Sequence, residues 1–75
     1  MNDQLKKRIT INPDIMMGKP VITGTRITVE HILGELGTGM TVEELLTEYP
    51  QLTPEDVQAA QAFAVEWMAE VNTLH

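Results

Sequence analysis

Lys19 and Arg26 sit in the stretch MMGKPVITGTRITVE, residues 16–30, each within two residues of a glycine, Gly18 or Gly24. A glycine lets backbone approach an anion closely, and two cations nearby would grip a phosphate. The stretch lacks the glycine spacing and the Lys-Ser/Thr end of a phosphate loop. A second use is internal: Arg26 pairs with a carboxylate of the acidic remainder of the chain and pins this segment to it. The abundance of acids favours that pairing. Acid–base chemistry finds little support. His31 follows Glu30 directly, but neighbours in sequence do not face each other on a helix, and His75 is far away. Glu44 and Glu48 share a helix face, where carboxylates are ordinarily solvated. No nucleophile, base and orienting group can be assembled, and no metal-ligand spacing occurs. We therefore expect no enzyme activity, no cofactor and no metal.

The elements that would carry these side chains follow from periodicity and capping. Met1–Lys7 reads as a frayed start. Arg8-Ile9-Thr10-Ile11 alternates and is β-branched, a short strand that Asn12-Pro13-Asp14 breaks. Val21-Ile22 and Thr25-Arg26-Ile27 read as a tight hairpin or extended arms around Gly24. Thr28 opens a first helix with Val29, Ile32, Leu33 and Leu36 on one face, ended by Gly37 and Gly39. Thr41 opens a second with a capping box to Glu44 and an apolar face of Val42, Leu45, Leu46 and Tyr49. TVEHILGEL and TVEELLTEY are near copies, one capped two-turn helix used twice. Thr53-Pro54-Glu55-Asp56 starts the third, with proline at its first position and acids facing the dipole, and it runs to about Asn72. Val57, Ala60, Ala64, Trp67 and Val71 stripe that helix, and Ala59, Ala62, Phe63, Val65 and Met68 widen the stripe beyond one face. Helices apolar on so many sides are buried on more than one. We expect a homodimer through Phe63, Trp67, Met68 and Val71.

The totals bound the rest. Seventy-five residues make one domain near the lower limit for an unaided core, and no cysteine is present to staple it. Apolar runs are too short to span a membrane, and the start has no signal-peptide pattern, so a cytoplasmic protein is expected. The net charge of −6 is unevenly spread. All five cations, Lys6, Lys7, Arg8, Lys19 and Arg26, precede residue 30, whereas nine of the eleven acids lie from residue 30 onward. Residues 30–75 should repel phosphate backbones and attract basic surfaces.

Gly18-Lys19-Pro20-Val21-Ile22, Gly24-Thr25-Arg26, Gly39-Met40-Thr41 and Tyr49-Pro50-Gln51-Leu52-Thr53-Pro54-Glu55-Asp56-Val57 together resemble the hallmarks of domain-of-unknown-function family 433, over residues 9 to about 64. The resemblance implies a homeodomain-like helix-turn-helix fold, and it implies kinship with antitoxins that pair with ribonuclease toxins. Met17, Thr23 and Thr28 stand where that family often has glycine, arginine and proline.

The expected architecture is thus mainly α: a flexible residue 1–7 segment, then one trihelical helix-turn-helix domain over 8–75, with an extended arm at 8–27 and helices over 28–72. The first functional expectation is an antitoxin-like module. Glu43, Glu44, Glu48, Glu55 and Asp56 would face a basic, ribonuclease-like protein, and Lys19 and Arg26 would fix the arm. A dimeric DNA-binding regulator is the second, with Gln58 and Gln61 at base edges. Its reading helix carries no cation, and most such affinity comes from neutralised phosphates. A structural homodimer is the third.

Overall fold

The computed structural model describes residues 1–73, with side chains through Glu70. Helices α1 (Asp3–Lys6), α2 (Val29–Gly37), α3 (Val42–Glu48) and α4 (Pro54–Thr73) surround a two-stranded sheet of β1 (Ile9–Thr10) and β2 (Val21–Ile22). The fold is mainly helical with a short N-terminal antiparallel hairpin, as the sequence predicts. The frayed start is replaced by α1. Asn2 caps it, its Oδ1 accepting the Leu5 N–H at 2.8 Å, and the turn packs against α4, where the Met1 amino group meets Glu66.

The strands pair antiparallel with Ile9 opposite Ile22 and Thr10 opposite Val21. The hairpin expected around Gly24 survives only as a bridge between Val21 and Thr28, with the Ile22 N–H donating to the Ile27 carbonyl at 2.9 Å. The ladder goes instead to β1. Thr23 draws it there: its N–H donates to the Arg8 carbonyl at 2.8 Å and its hydroxyl to the Lys7 carbonyl at 2.9 Å. Val21 and Ile22 are thereby buried.

Between the strands the chain makes a 3₁₀ turn, Met16–Gly18. Met16 and Met17 hold φ of 48° and 58°, the left-handed region that L side chains avoid, followed by Gly18 at 82°. Met17 is also 89% exposed. Two strained methionines in succession are conformational energy stored in a surface loop.

Helices α2, α3 and α4 each begin at the threonine that announces it. Thr28 Oγ1 accepts the His31 N–H at 2.9 Å. The Thr41–Glu44 capping box is complete, with the Thr41 N–H donating to Glu44 Oε1 at 3.0 Å and the Glu44 N–H to Thr41 Oγ1 at 3.1 Å. Thr53 and Asp56 form the same reciprocal pair at 3.2 and 2.9 Å. The core gathers Ile22, Val29, Ile32, Leu45, Leu52, Val57 and Ala60, with Leu33, Leu36, Leu46, Tyr49 and Phe63 packed around it. The fully buried Ala59 and Ala60 have side chains small enough for α4 to pack closely. Val42, expected on the apolar face of α3, is exposed, because so short a helix buries only its middle, Leu45.

The α4 stripe divides. Val57, Ala59 and Ala60 are buried, Phe63 is half-buried, and Trp67 and Met68 are 58% and 59% exposed. The helix outruns the two short helices that cover it. Val71 and His75 lie outside the described side chains.

One half-exposed cation reaches an enclosed carboxylate. Arg8 Nη1 donates to Asp56 Oδ1 at 3.0 Å and to Thr53 Oγ1 at 3.3 Å, and Asp56 is 6% exposed. A carboxylate removed from water needs such partners.

Two stability measurements test this account. Arg8→Met should lose about 2 kcal/mol in urea unfolding by leaving Asp56 half-paired, and nearly nothing when Asp56 is already alanine. Met17→Gly should gain about 0.5–1 kcal/mol by relieving the left-handed strain, since this penalty exceeds the entropy glycine adds to the unfolded chain.

Candidate functional site

The acidic face expected to meet a partner is largely present. Glu43 and Glu48 are exposed on α3 and Glu55 is exposed on the first turn of α4. Glu44 is exposed too, with Oε1 committed to the Thr41 N–H at 3.0 Å. That backbone N–H, and secondarily the Thr41 hydroxyl, hold its carboxyl below the ordinary value of 4.5. Asp56 does not belong to this face. Its place three residues after Thr53 turns the short carboxylate back onto the helix cap, under Arg8.

The two arm cations part company. Lys19 Nζ meets Glu30 Oε1 at 2.9 Å and holds the arm to α2, at a site where both side chains remain well exposed. Exposed pairs of this kind contribute little stability. Arg26 pins nothing: it is exposed and has no ion pair among the described residues. The turn at Gly24, with φ of 82°, carries it to a shallow hollow beside Thr10, Ile15 and Thr25, where no carboxylate lies. Arg8 performs the pinning role expected of Arg26. No spacing signals this role, because strand alternation puts Arg8 and Thr10 on the face opposite the core-packed Ile9.

The sequence reading missed a third group. His31 Nε2 lies 2.6 Å from the Tyr49 hydroxyl and 3.5 Å from Glu35 Oε1, and the two rings meet edge to face with centroids 5.5 Å apart. The contact ties α2 to the end of α3. Lost hydration first, then the carboxylates of Glu48 and Glu35, push the Tyr49 hydroxyl above its usual 10.0. His31 and Tyr49 stand 18 residues apart on separate helices, so no periodicity reveals them. Among the described residues no three His, Asp or Glu side chains gather as metal ligands.

The last feature is an apolar groove of about 620 Å³ between arm, α2 and α4. Pro20, Val29, Leu33, Phe63, Trp67 and Met68 line it, so three of the four expected dimer residues share one surface.

The signature of a family described as a protein of unknown function, DUF433, matches residues 9–64. The chain belongs to the DUF433 family. A crystal structure of a DUF433 member from Anabaena variabilis ATCC 29413 superposes with a TM-score of 0.80 at 31% identity, covering 93% of this chain and 69% of the other. An uncharacterised protein of Sinorhizobium fredii (strain NBRC 101917 / NGR234), y4eO, is 36% identical over 56 residues, or 75% of this chain. The chain spans 25% of that relative's length. The crystal structure supports the DUF433 fold, and no helix among the described residues is long and apolar enough to cross a membrane.

A pH measurement checks the Glu44 cap. A carboxyl whose folded pKa is lowered stabilises above its unfolded value of 4.5 and loses that contribution as pH falls through the folded value. Protection of the Thr41 and Glu44 amides, taken relative to their intrinsic exchange rates, should therefore fall as pH drops below 4.5, and Glu44→Gln should remove that step while keeping the cap.

Proposed function

We propose that this DUF433 chain is a small cytoplasmic protein-binding module similar to an antitoxin, with no catalytic role and no cofactor or metal. Its α3–α4 face, led by Glu43, Glu48 and Glu55, covers the basic groove of a ribonuclease-like partner. The observation that carries the reading is the exposure of these acids on a surface with no Lys or Arg from residue 30 onward. Complementary charge of that kind steers encounter and sets partner choice. Arg8 and Lys19 are occupied at internal carboxylates, which leaves Lys6, Lys7 and Arg26 as the cations open to polyanions. The exposed Arg26 is what favours the second reading, a DNA-binding helix-turn-helix dimer. Against it, the start of α4 offers Glu55 to a phosphate, and Asp56 is enclosed.

Affinity capture from the native cell, run in parallel with and without nuclease treatment, separates the two. The acidic-module reading expects a stoichiometric basic protein that is retained at physiological salt and lost with the combined Glu43→Lys, Glu48→Lys and Glu55→Lys variant. Retention of nucleic acid alone, fading as salt rises, would replace it with the DNA reading.

A further inference from the structure

Three features of one face have no part in the charge-based reading above. Met17 is 89% exposed yet held at φ 58°, with Met16 before it at 48°. Gly18, next in the chain, lines the apolar groove, so Met17 is one residue away from its lining. Across the groove, Trp67 and Met68 project from the overhanging half of α4 with more than half of their surface in water. Strain maintained around an exposed apolar side chain, beside an unfilled apolar hollow, points to recognition more than to folding.

We propose that this face is the seat of a second copy of the chain, in a closed two-fold dimer in which Met17 of each copy enters the groove of the other beside Trp67. Charge decides the occupant. The groove lining carries one charged side chain, Glu30, and Lys19 neutralises it at 2.9 Å. A basic protein is drawn to α3 and a polyanion to Lys6, Lys7 and Arg26, whereas two chains of net charge −6 repel least where this neutral patch meets itself. A two-fold interface also requires knob and socket on the same surface, and Met17 and the α4 groove supply both. Methionine, unbranched and polarisable, suits a knob that must fit a hollow shaped by other side chains.

Sedimentation velocity over micromolar to submillimolar concentrations is the test. The full chain should sediment at twice its own mass. Met17→Gly and Met17→Lys should each raise the dissociation constant about tenfold or more, with the circular dichroism spectrum unchanged. Met17→Gly is the sharper variant because it should melt higher as a monomer while associating worse, which a purely structural methionine would not do. The combined Glu43→Lys, Glu48→Lys and Glu55→Lys variant should dimerise like the parent, so failure here and failure of the acidic-module reading are distinguishable. A chain that stays monomeric throughout, one that forms open-ended assemblies, or a dimer indifferent to both Met17 variants overturns the proposal.

Discussion

The fold depends on one enclosed carboxylate. Asp56 sits 6% exposed in the first turn of α4, where its Oδ2 accepts the Thr53 N–H and its Oδ1 accepts from Arg8. The hydrogen bond to the helix terminus is local and would form in any capped helix. The contact with Arg8 is not local: it joins residues 48 apart in sequence. A charge drawn out of water cannot be left half-satisfied without a penalty comparable to a large part of a small domain's stability. The junction therefore fixes where the arm must lie. With Arg8 held, β1 follows immediately, β2 pairs with it through Ile9 and Ile22, and the apolar side of the ladder, Val21 and Ile22, is delivered to the core.

That arrangement explains the lopsided distribution of charge. The cations come first because the arm is the segment that must be fastened to an acidic helical body, and two of the five do so: Arg8 at Asp56 and Lys19 at Glu30. These two contacts differ in kind. Arg8 meets an enclosed partner, and the exchange with water is unfavourable enough to matter. Lys19 meets Glu30 in the open, where water and salt compete, so its effect is to neutralise a patch more than to hold the arm. The same residue type in the same segment thus does different work depending on how much solvent its partner retains.

Much of this architecture is legible in the residues. Thr28, Thr41 and Thr53 each mark a helix start because a threonine oxygen three residues ahead of an orphan N–H leaves little local choice, and all three caps form. The faces built on Val29, Ile32, Leu45 and Val57 follow from period alone, as do the acids at Glu43, Glu48 and Glu55 that leave the core. What escapes is whatever depends on partners distant in sequence. Near Gly24 the Ile22 N–H goes to the local Ile27 carbonyl and the Thr23 N–H to the distant Arg8 carbonyl, and spacing reveals only the first. Arg26 and Arg8 look interchangeable until the turn's direction is known. Asp56 shares the i, i+3, i+4, i+7 face of Ala59, Ala60 and Phe63, but that spacing does not reveal that the distant Arg8 is what meets it. His31 and Tyr49 meet only because α2 and α3 cross. Met17 gives no warning either, since left-handed geometry at a methionine is imposed by the chain around it.

The α4 helix shows why a small core and an exposed apolar face belong to one design. Two helices of nine and seven residues can cover only part of a twenty-residue partner. Burial consequently ends near Phe63, although apolar residues continue to Trp67 and Met68. Shortening α4 to the length the core needs would remove the overhang with little effect on the packed half, because Val57, Ala59 and Ala60 lie entirely within its first two turns. The longer helix therefore carries apolar side chains in water that folding alone does not require, at a position where the arm and Gly18, the last residue of the strained turn, complete a hollow. Stability selects against both features individually. Their coincidence on one charge-compensated face is the pattern produced when a surface is shaped by what it must contact, and it leaves the acidic α3 face independent, free to engage something else.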